Sequence, residues 1–306
     1  MRATSGMAMA IVSSCLGGTA GAVTRYLVGD AGPITLAILR WGLGVLCVLP
    51  LALLLHARWP NRRDLPAVVM LGILFFGLFF IFYNVALIFT TAARASLALA
   101  TLPLQTMAVG AILGIEPITR RKIVGVCIAM FGAFLALAAD LARAPVGAWR
   151  GETIMFGAVL CMAFYNVLSR PFIERSSALG FLAVSMGAGA AALIVAGGFA
   201  GSVDELGSFG ERQWIAGLYL GVGGGALAFI LWVLALARTT PTRVAVTMTV
   251  NPAAAALLAN ELMGEPITTN LIMGMLAVLA GIWIAATGGD AQVKQRSKRN
   301  GATRPP

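Results

Sequence analysis

Hydrophobic runs recur from one end of this chain to the other, each about 20 residues long, the length at which a helix spans the roughly 30 Å hydrocarbon core of a bilayer. Ten can be read, at approximately 7–28, 33–55, 67–89, 94–115, 122–140, 152–173, 178–200, 213–237, 243–263 and 268–287. Only short polar breaks separate them, so there is no room for an independent soluble domain. Composition agrees: the chain is 59% hydrophobic and 11% charged, with a mean hydropathy of +0.89, far from what a water-facing surface requires. The segment FFGLFFIFY does not alternate as a barrel strand must, and the 36 glycines, spread through the runs, suit helices packed backbone to backbone. The expected fold class is therefore an all-α integral membrane protein with ten transmembrane helices. MRATSGMAMAIVSSCLGG continues into TAGAVTRYLV as one spanning segment rather than a signal peptide. Cys15, Cys47, Cys127 and Cys161 fall inside the runs with neither metal-ligand spacing nor disulfide logic, and read as small packing residues. No metal and no cofactor is expected.

Charge gives the orientation. With the N-terminus in the cytoplasm and ten alternating spans, 16 of the 22 basic residues fall on the cytoplasmic side, among them Arg58, Arg62, Arg63, Arg120, Arg121, Lys122, Arg170, Arg175 and the tail QVKQRSKRN. That is a strong positive-inside bias with both termini inside, and the tail matches anionic headgroups. The net charge of +10 is therefore a membrane feature, and nucleic acid is not an expected partner.

LGIEPITRRKIVG and LMGEPITTNLIMG share Leu, Glu, Pro, Ile, Thr and Gly at an offset of 149 residues. The offset holds from Gly72 against Gly221, through Arg94 against Arg243 and Pro103 against Pro252, to Gly132 against Gly281; a slightly different one pairs Gly6 with Gly151 and Arg25 with Arg170. Each repeat then contains five spans, and an odd number turns the second copy upside down. The expected organisation is a first five-helix repeat over 1–144, a second, inverted one over 145–289, and a basic cytoplasmic tail over 290–306. Positive-inside bias explains why only the first copy keeps RRK. Inverted halves can exchange conformations around a site between them, which favours a transporter over a structural membrane protein without excluding a channel.

Candidate site residues are the polar and aromatic groups inside spans, because unpaired polar groups are costly in hydrocarbon. Tyr83 and Trp232 occupy matching positions in the two halves, and either wall a common ligand or simply pack between helices. Asn84 follows Tyr83. Thr101 and Gln105 surround Pro103, while Thr247 and Asn251 lie four apart before Pro252; the paired prolines free backbone carbonyls for a hinge or a site, or only distort their helices. Tyr165, Asn166 and Ser169 on the sixth span, with Ser14 on the first, extend a polar strip, although any one hydroxyl can bond back to its own helix. Arg40, seven residues beyond Pro33 and so about 10 Å along its helix, must snorkel, pair or face a polar cavity. Arg94 and Arg243 stand at helix starts, where the dipole disfavours a free cation and so implies a partner. Asn260 and Glu261 read as rim residues.

No carboxylate sits in mid-span and the sole histidine, His56, is in a loop, which disfavours an internal proton relay and favours facilitated movement or exchange. GVGGGALAF lacks the Lys-Ser or Lys-Thr of a phosphate loop, so no ATPase is implied, and no converging catalytic groups suggest an enzyme.

The segments LRWGLG, TLPLQTMAVGAILGIEPITRRKIVGVCIAMFGAF and NPAAAALLANELMGEPITTNLIMGMLAVLAGI, in ten spans of two inverted halves, resemble the EamA family of the drug/metabolite transporter superfamily over nearly all of 7–287. The most specific elements are the blocks Pro103/Glu116/Gly125 and Pro252/Glu265/Gly274. Within the family the pattern looks most like bacterial aromatic amino acid exporters. The resemblance implies a central cavity, alternating access in the bacterial inner membrane, and export of amino acids such as Phe, Trp, Tyr, Met and Thr or related metabolites. It also implies gating or structural roles for Arg40, Glu116 and Glu265. Ile115 stands where the family usually has glycine directly before the glutamate, a local departure at a helix end. A broad drug or nucleoside efflux carrier is the alternative expectation, and a pore-like channel a more distant one.

Overall fold

The structure is a computed structural model and describes residues 2–27, 31–89, 98–141, 147–202, 204–263 and 269–287. Ten helical rods account for nearly all of them, with no strand among the described residues. They are α1 (Arg2–Leu27), α2 (Pro33–Leu54), α3 (residues 65–89), α4 (Leu102–Ile112), α5 (Arg120–Leu141), α6 (Ala148–Arg175), α7 (Ala178–Phe199), α8 (residues 211–236), α9 (residues 241–263) and α10 (Thr269–Thr287). Among the described residues six stretches, Thr4–Thr24, Ile34–Leu54, Leu65–Tyr83, Trp149–Arg175, Ala178–Phe199 and Glu211–Leu236, are long and apolar enough to cross a membrane, and Leu102–Ile112 and Ile272–Ala285 are shorter apolar helices.

Proline opens several rods. Pro33, Pro66, Pro103 and Pro241 sit in first turns, where a missing N–H costs nothing because that N–H has no helical partner. Three rods are not uniform. α3 widens into a π-helical stretch at Ile73–Phe79, and α8 does the same at Val222–Leu227, starting 149 residues later. α9 tightens into a 3₁₀ turn at Thr247–Val250 between the α-helices Pro241–Val246 and Asn251–Met263. Such irregularities move helical hydrogen bonds out of register, and in a membrane they persist where the backbone is covered by protein.

Contacts between connections define the two faces of the bundle. At the proximal face, where α1 begins, a Cβ on Gly6 would meet Arg238 and Thr239 in the α8–α9 turn, and Arg238 Nη1 donates to Met9 Sδ at 2.7 Å. The α4–α5 connection reaches the start of α9 there through Glu116 and Thr242. Arg175, at the end of α6, forms a two-pronged pair with Asp64 before α3, and Ser177 donates to the Arg58 carbonyl. At the distal face the α1–α2 and α7–α8 connections meet: Glu205 accepts the Gly32 N–H at 2.8 Å and the Thr35 hydroxyl at 2.6 Å. These two hydrogen bonds hold the Glu205 carboxyl below its usual range, the Thr35 contribution being the larger.

Packing orders the rods. α2 lies on α7, α5 on α10, α1 on α8 and α9, and α6 on α3 and α4. The α5–α10 contact is close along its length: a Cβ on Gly125 would lie 2.6 Å from the Ala285 nitrogen and one on Gly132 2.7 Å from the Gly274 carbonyl oxygen. Gly125 also meets Gly281, so the two helices run antiparallel with their glycines interleaved. Inside the other rods lies an aromatic core in which Trp41 meets Phe76, Phe80 and Phe229 edge-on and Phe75 stacks on Tyr165 at 4.7 Å. The outer surface is apolar as well: Ile112 and Phe199 are 83% and 91% exposed, an arrangement suited to lipid and not to water.

Candidate functional site

A strip of polar groups runs between α1 on one side and α8 and α9 on the other. At its proximal end everything is buried. Ser13 donates to the Ala228 carbonyl at 2.7 Å, just past the π-helical stretch of α8, and the Ser14 and Thr247 hydroxyls meet at 2.8 Å. Trp232 Nε1 donates to Asn166 Oδ1 at 2.9 Å, tying α8 to α6.

Below these contacts, Glu116 closes the proximal face. Its Oε1 accepts from Lys122 Nζ at 2.6 Å, and its Oε2 accepts from both the backbone N–H and the hydroxyl of Thr242, at 3.1 and 3.0 Å. The carboxylate thus caps the first turn of α9 from the α4–α5 connection, a favourable place for an anion. Both members of the pair are sealed, with side chains 6% and 3% exposed. Lys122, counted from the sequence among the cytoplasmic-side basic residues, is an interior partner; its Nζ also reaches the Pro117 carbonyl at 3.0 Å. The helix end before Glu116 is formed without strain at Ile115. The left-handed conformation falls on Gly114 (φ 66°), and the N–H groups of Ile115 and Glu116 both donate to the Gly110 carbonyl.

At its distal end the strip is half-buried. The Thr19 and Tyr219 hydroxyls meet at 2.6 Å, and Arg40 Nη2 donates to the Gly224 carbonyl at 2.8 Å, inside the π-helical stretch of α8. The Arg40 guanidinium stands over the rings of Trp41 and Phe80, 4.9 and 5.7 Å from their centroids. Tyr83 lies within electrostatic reach of it and stacks on Phe79 at 5.9 Å.

The sequence candidates therefore fall into groups. Asn166 and Trp232 are brought together, as are Thr101 and Gln105, whose Nε2 donates to Thr101 Oγ1 at 3.1 Å and to the Phe156 carbonyl at 3.4 Å. Pro103 is buried in the first turn of α4 between them. Tyr165 is fully buried, 3.5 Å from the Ser185 hydroxyl, and Ser169 bonds back to the Tyr165 carbonyl. Asn251 lies half-buried against α1, its Nδ2 3.6 Å from Met248 Sδ. Tyr83 sits six residues from the distal end of α3 and Trp232 four residues from the proximal end of α8, so these two lie at opposite ends of the strip. Arg243 is buried at the start of α9, and its Nε and Nη2 have no hydrogen-bond partner. Asn84 and Pro252 lie in described helices, their side chains outside the described set; Arg94 and Glu265 lie outside the described residues. Sequence reasoning missed Ser13, Thr19, Tyr219, Gly224 and Thr242. Gly224 sits in the GVGGG run, which read as packing glycines, and no repeat match marks Tyr219.

Three interior amide atoms, Gln105 Oε1, Asn166 Nδ2 and Asn251 Oδ1, are buried without a hydrogen-bond partner. The described acidic residues stand at or near helix ends. The lining is thus rich in neutral donors and acceptors and closed toward the proximal face.

The model of the EamA-like transporter family matches residues 4–138 and 149–287. The chain belongs to this family. An EamA-family membership makes it a multi-pass membrane transporter, with a small-molecule solute and a lipid environment as its partners. An uncharacterized transporter from Archaeoglobus fulgidus is 24% identical over 270 residues, covering 87% of this chain and 93% of that one. A probable terminal-alkyne amino-acid exporter from Streptantibioticus cattleyicolor is 26% identical over 232 residues, 75% of this chain and 76% of that one. A solved crystal structure shares the EamA-family chain's fold at a TM-score of 0.76 with 21% identity, covering 92% of this chain and 97% of its own.

Proposed function

We propose that the protein is an inner-membrane, alternating-access transporter that exports amino acids, aromatic and other largely neutral ones such as Phe, Trp, Tyr, Met and Thr. The observation that carries this reading is the polar strip, whose amides and hydroxyls are neutral and whose distal end holds the Arg40 cation. A zwitterion needs donors and acceptors in balance, and the interior offers unpaired amide atoms at Gln105, Asn166 and Asn251 without a mid-span acid. The relative named as a probable amino-acid exporter supports the same class. Tyr83, Asn84, Thr101, Tyr165, Trp232 and Thr247 complete the substrate-binding set, with Arg40, Arg94, Pro103, Glu116, Arg243, Pro252 and Glu265 in gating or structural roles.

Two inverted five-helix repeats supply the moving walls. Four observations support that division: the family model matches two stretches of similar length, the π-helical stretches begin 149 residues apart, α5 and α10 pack antiparallel with glycines exchanged between equivalent positions, and α1 contacts α8 and α9 as α6 contacts α3 and α4. The proximal face carries the basic connections and is the cytoplasmic one, with both termini there. The conformation described is then sealed on the inner side. Opening the inner side requires the Glu116–Thr242, Ser14–Thr247 and Trp232–Asn166 contacts to separate, and their counterparts outside to form. With no carboxylate or histidine in mid-span, movement is facilitated and not proton-driven.

The test is efflux from liposomes carrying the purified protein and loaded with labelled Phe, Trp, Tyr, Met, Thr, Asp and Lys. Saturable release of the neutral set ahead of Asp and Lys is expected. Protein-dependent release of none of them would overturn the amino acid reading.

A further inference from the structure

We propose that Arg40 is the docking point for the carboxylate of the transported solute, with the phenols of Tyr83 and Tyr219 beside it. This rests on the amino acid reading above and adds to it the group that the anionic end meets.

A guanidinium carries five N–H donors and no acceptor. Among the described residues that of Arg40 uses one, to the Gly224 carbonyl, while its Nε is buried without a partner. Among the described residues the ion pairs are Lys122–Glu116, Arg170–Glu174 and Arg175–Asp64, and none involves Arg40. A cation held about 10 Å along a membrane helix without a counter-ion is costly. The rings of Trp41 and Phe80 offset part of that cost through their faces. Ring contacts occupy the flat side of a guanidinium and leave its in-plane N–H edge, the edge that a carboxylate meets with two parallel hydrogen bonds.

The surroundings are arranged around this edge. A Cβ on Gly224 would lie 3.5 Å from Arg40 Nη2 and press on Ala20, so glycine in the π-helical stretch makes room for the guanidinium. Tyr83 and Tyr219 are within electrostatic reach of the charge, and Tyr219 is oriented by its 2.6 Å contact with Thr19. Four helices bring these groups to one level: Arg40 is seven residues from the distal start of α2, Tyr219 eight from that of α8, Thr19 eight from the distal end of α1, and Tyr83 six from that of α3. All four are half-buried, toward the distal end of the strip. Arg243 also has unpaired nitrogens, but at 5% exposure it is enclosed in the closed half and presents no edge to a solute in this conformation.

The experiment is calorimetric titration of the full-length protein in lipid nanodiscs with phenylalanine, phenylacetate and phenethylamine, which share a ring and differ in their charged groups. Phenylalanine and phenylacetate should bind at least about tenfold more tightly than phenethylamine, the worth of a charge-assisted pair. Arg40→Gln should abolish that preference and Arg40→Lys should keep part of it. A monodisperse, helical Arg40→Gln protein with the preference intact would overturn the proposal, as would wild-type protein that binds phenethylamine as well as phenylalanine. Should Arg40→Gln fail to fold, Tyr219→Phe keeps the cation and removes one donor: a several-fold loss for phenylacetate with none for phenethylamine supports the site, and equal affinities for both proteins remove it. The carrier reading fails separately. Protein that binds phenylacetate through Arg40 yet moves no amino acid leaves the carboxylate site standing, whereas equal flux of phenylalanine and phenethylamine leaves the carrier standing and removes the site.

Discussion

Glu116→Ala takes one partner from a sealed ion pair and leaves three donors, Lys122 Nζ and the Thr242 N–H and hydroxyl, facing an apolar methyl group. Breaking a buried pair from one side costs about 3–5 kcal/mol, because the remaining charge stays desolvated. If each kcal/mol moves the midpoint by ~2–4 °C, the melting temperature should fall by roughly 10 °C. The double variant Glu116→Gln/Lys122→Met removes both charges, and its amide oxygen still accepts from Thr242. It should recover at least half of the loss, since a buried pair replaced as a whole is often close to neutral. Thermal unfolding of purified protein in detergent, followed by fluorescence-detected size exclusion, gives all the midpoints needed. A Glu116→Ala protein within about 2 °C of wild type, or a double variant no better than Glu116→Ala, would refute the claim that this pair locks the proximal face.

Trp232→Ala removes the donor to Asn166 and an aromatic wall, and should weaken efflux of Phe, Trp and Tyr while the protein still inserts and purifies as a folded species; unchanged efflux would take Trp232 out of the site. Glu205 has its pKa lowered on folding by Thr35 and Gly32, so its contribution is present above the ordinary carboxylate range and is lost as pH falls through its folded value. The melting advantage of wild type over Glu205→Gln should therefore be present at neutral pH and vanish on acidification, and a pH-independent difference would contradict this. Gly132→Ala places a Cβ 2.7 Å from backbone atoms of α10 and should cost about 1–3 kcal/mol. Gly157→Ala meets nothing within 4 Å and should shift the midpoint little; similar losses in both would argue against the close α5–α10 seam.

Much of the helical frame was legible because bilayer thickness fixes helix length and proline marks starts: the runs read at 33–55 and 178–200 became Pro33–Leu54 and Ala178–Phe199. The π-helical stretches at Ile73–Phe79 and Val222–Leu227 were not legible, because widening depends on what packs across a helix and not on its own hydropathy. At the site, Thr247 and Asn166 stood out as polar residues in apolar runs, and the structure gives each a buried partner. Their partners could not be read, since Ser14 lies 233 residues from Thr247 and Trp232 lies 66 from Asn166. Lys122 illustrates the opposite limit. Placed next to Arg120 and Arg121 it looks like part of a surface charge run, and only the fold turns it inward to Glu116. Tyr219 and Gly224 gained meaning solely from the return of α8 beside Arg40.

The most direct test of the account is counterflow in liposomes with the proton gradient collapsed. Vesicles containing the protein and labelled phenylalanine are diluted into buffer with or without unlabelled phenylalanine. An alternating-access carrier with no internal proton relay predicts saturable release that persists without the gradient and accelerates when phenylalanine is present outside. Release that never saturates and ignores external phenylalanine would mark a pore, and release that stops when the gradient collapses would mark a coupled transporter; either would contradict the facilitated exchange proposed for this fold.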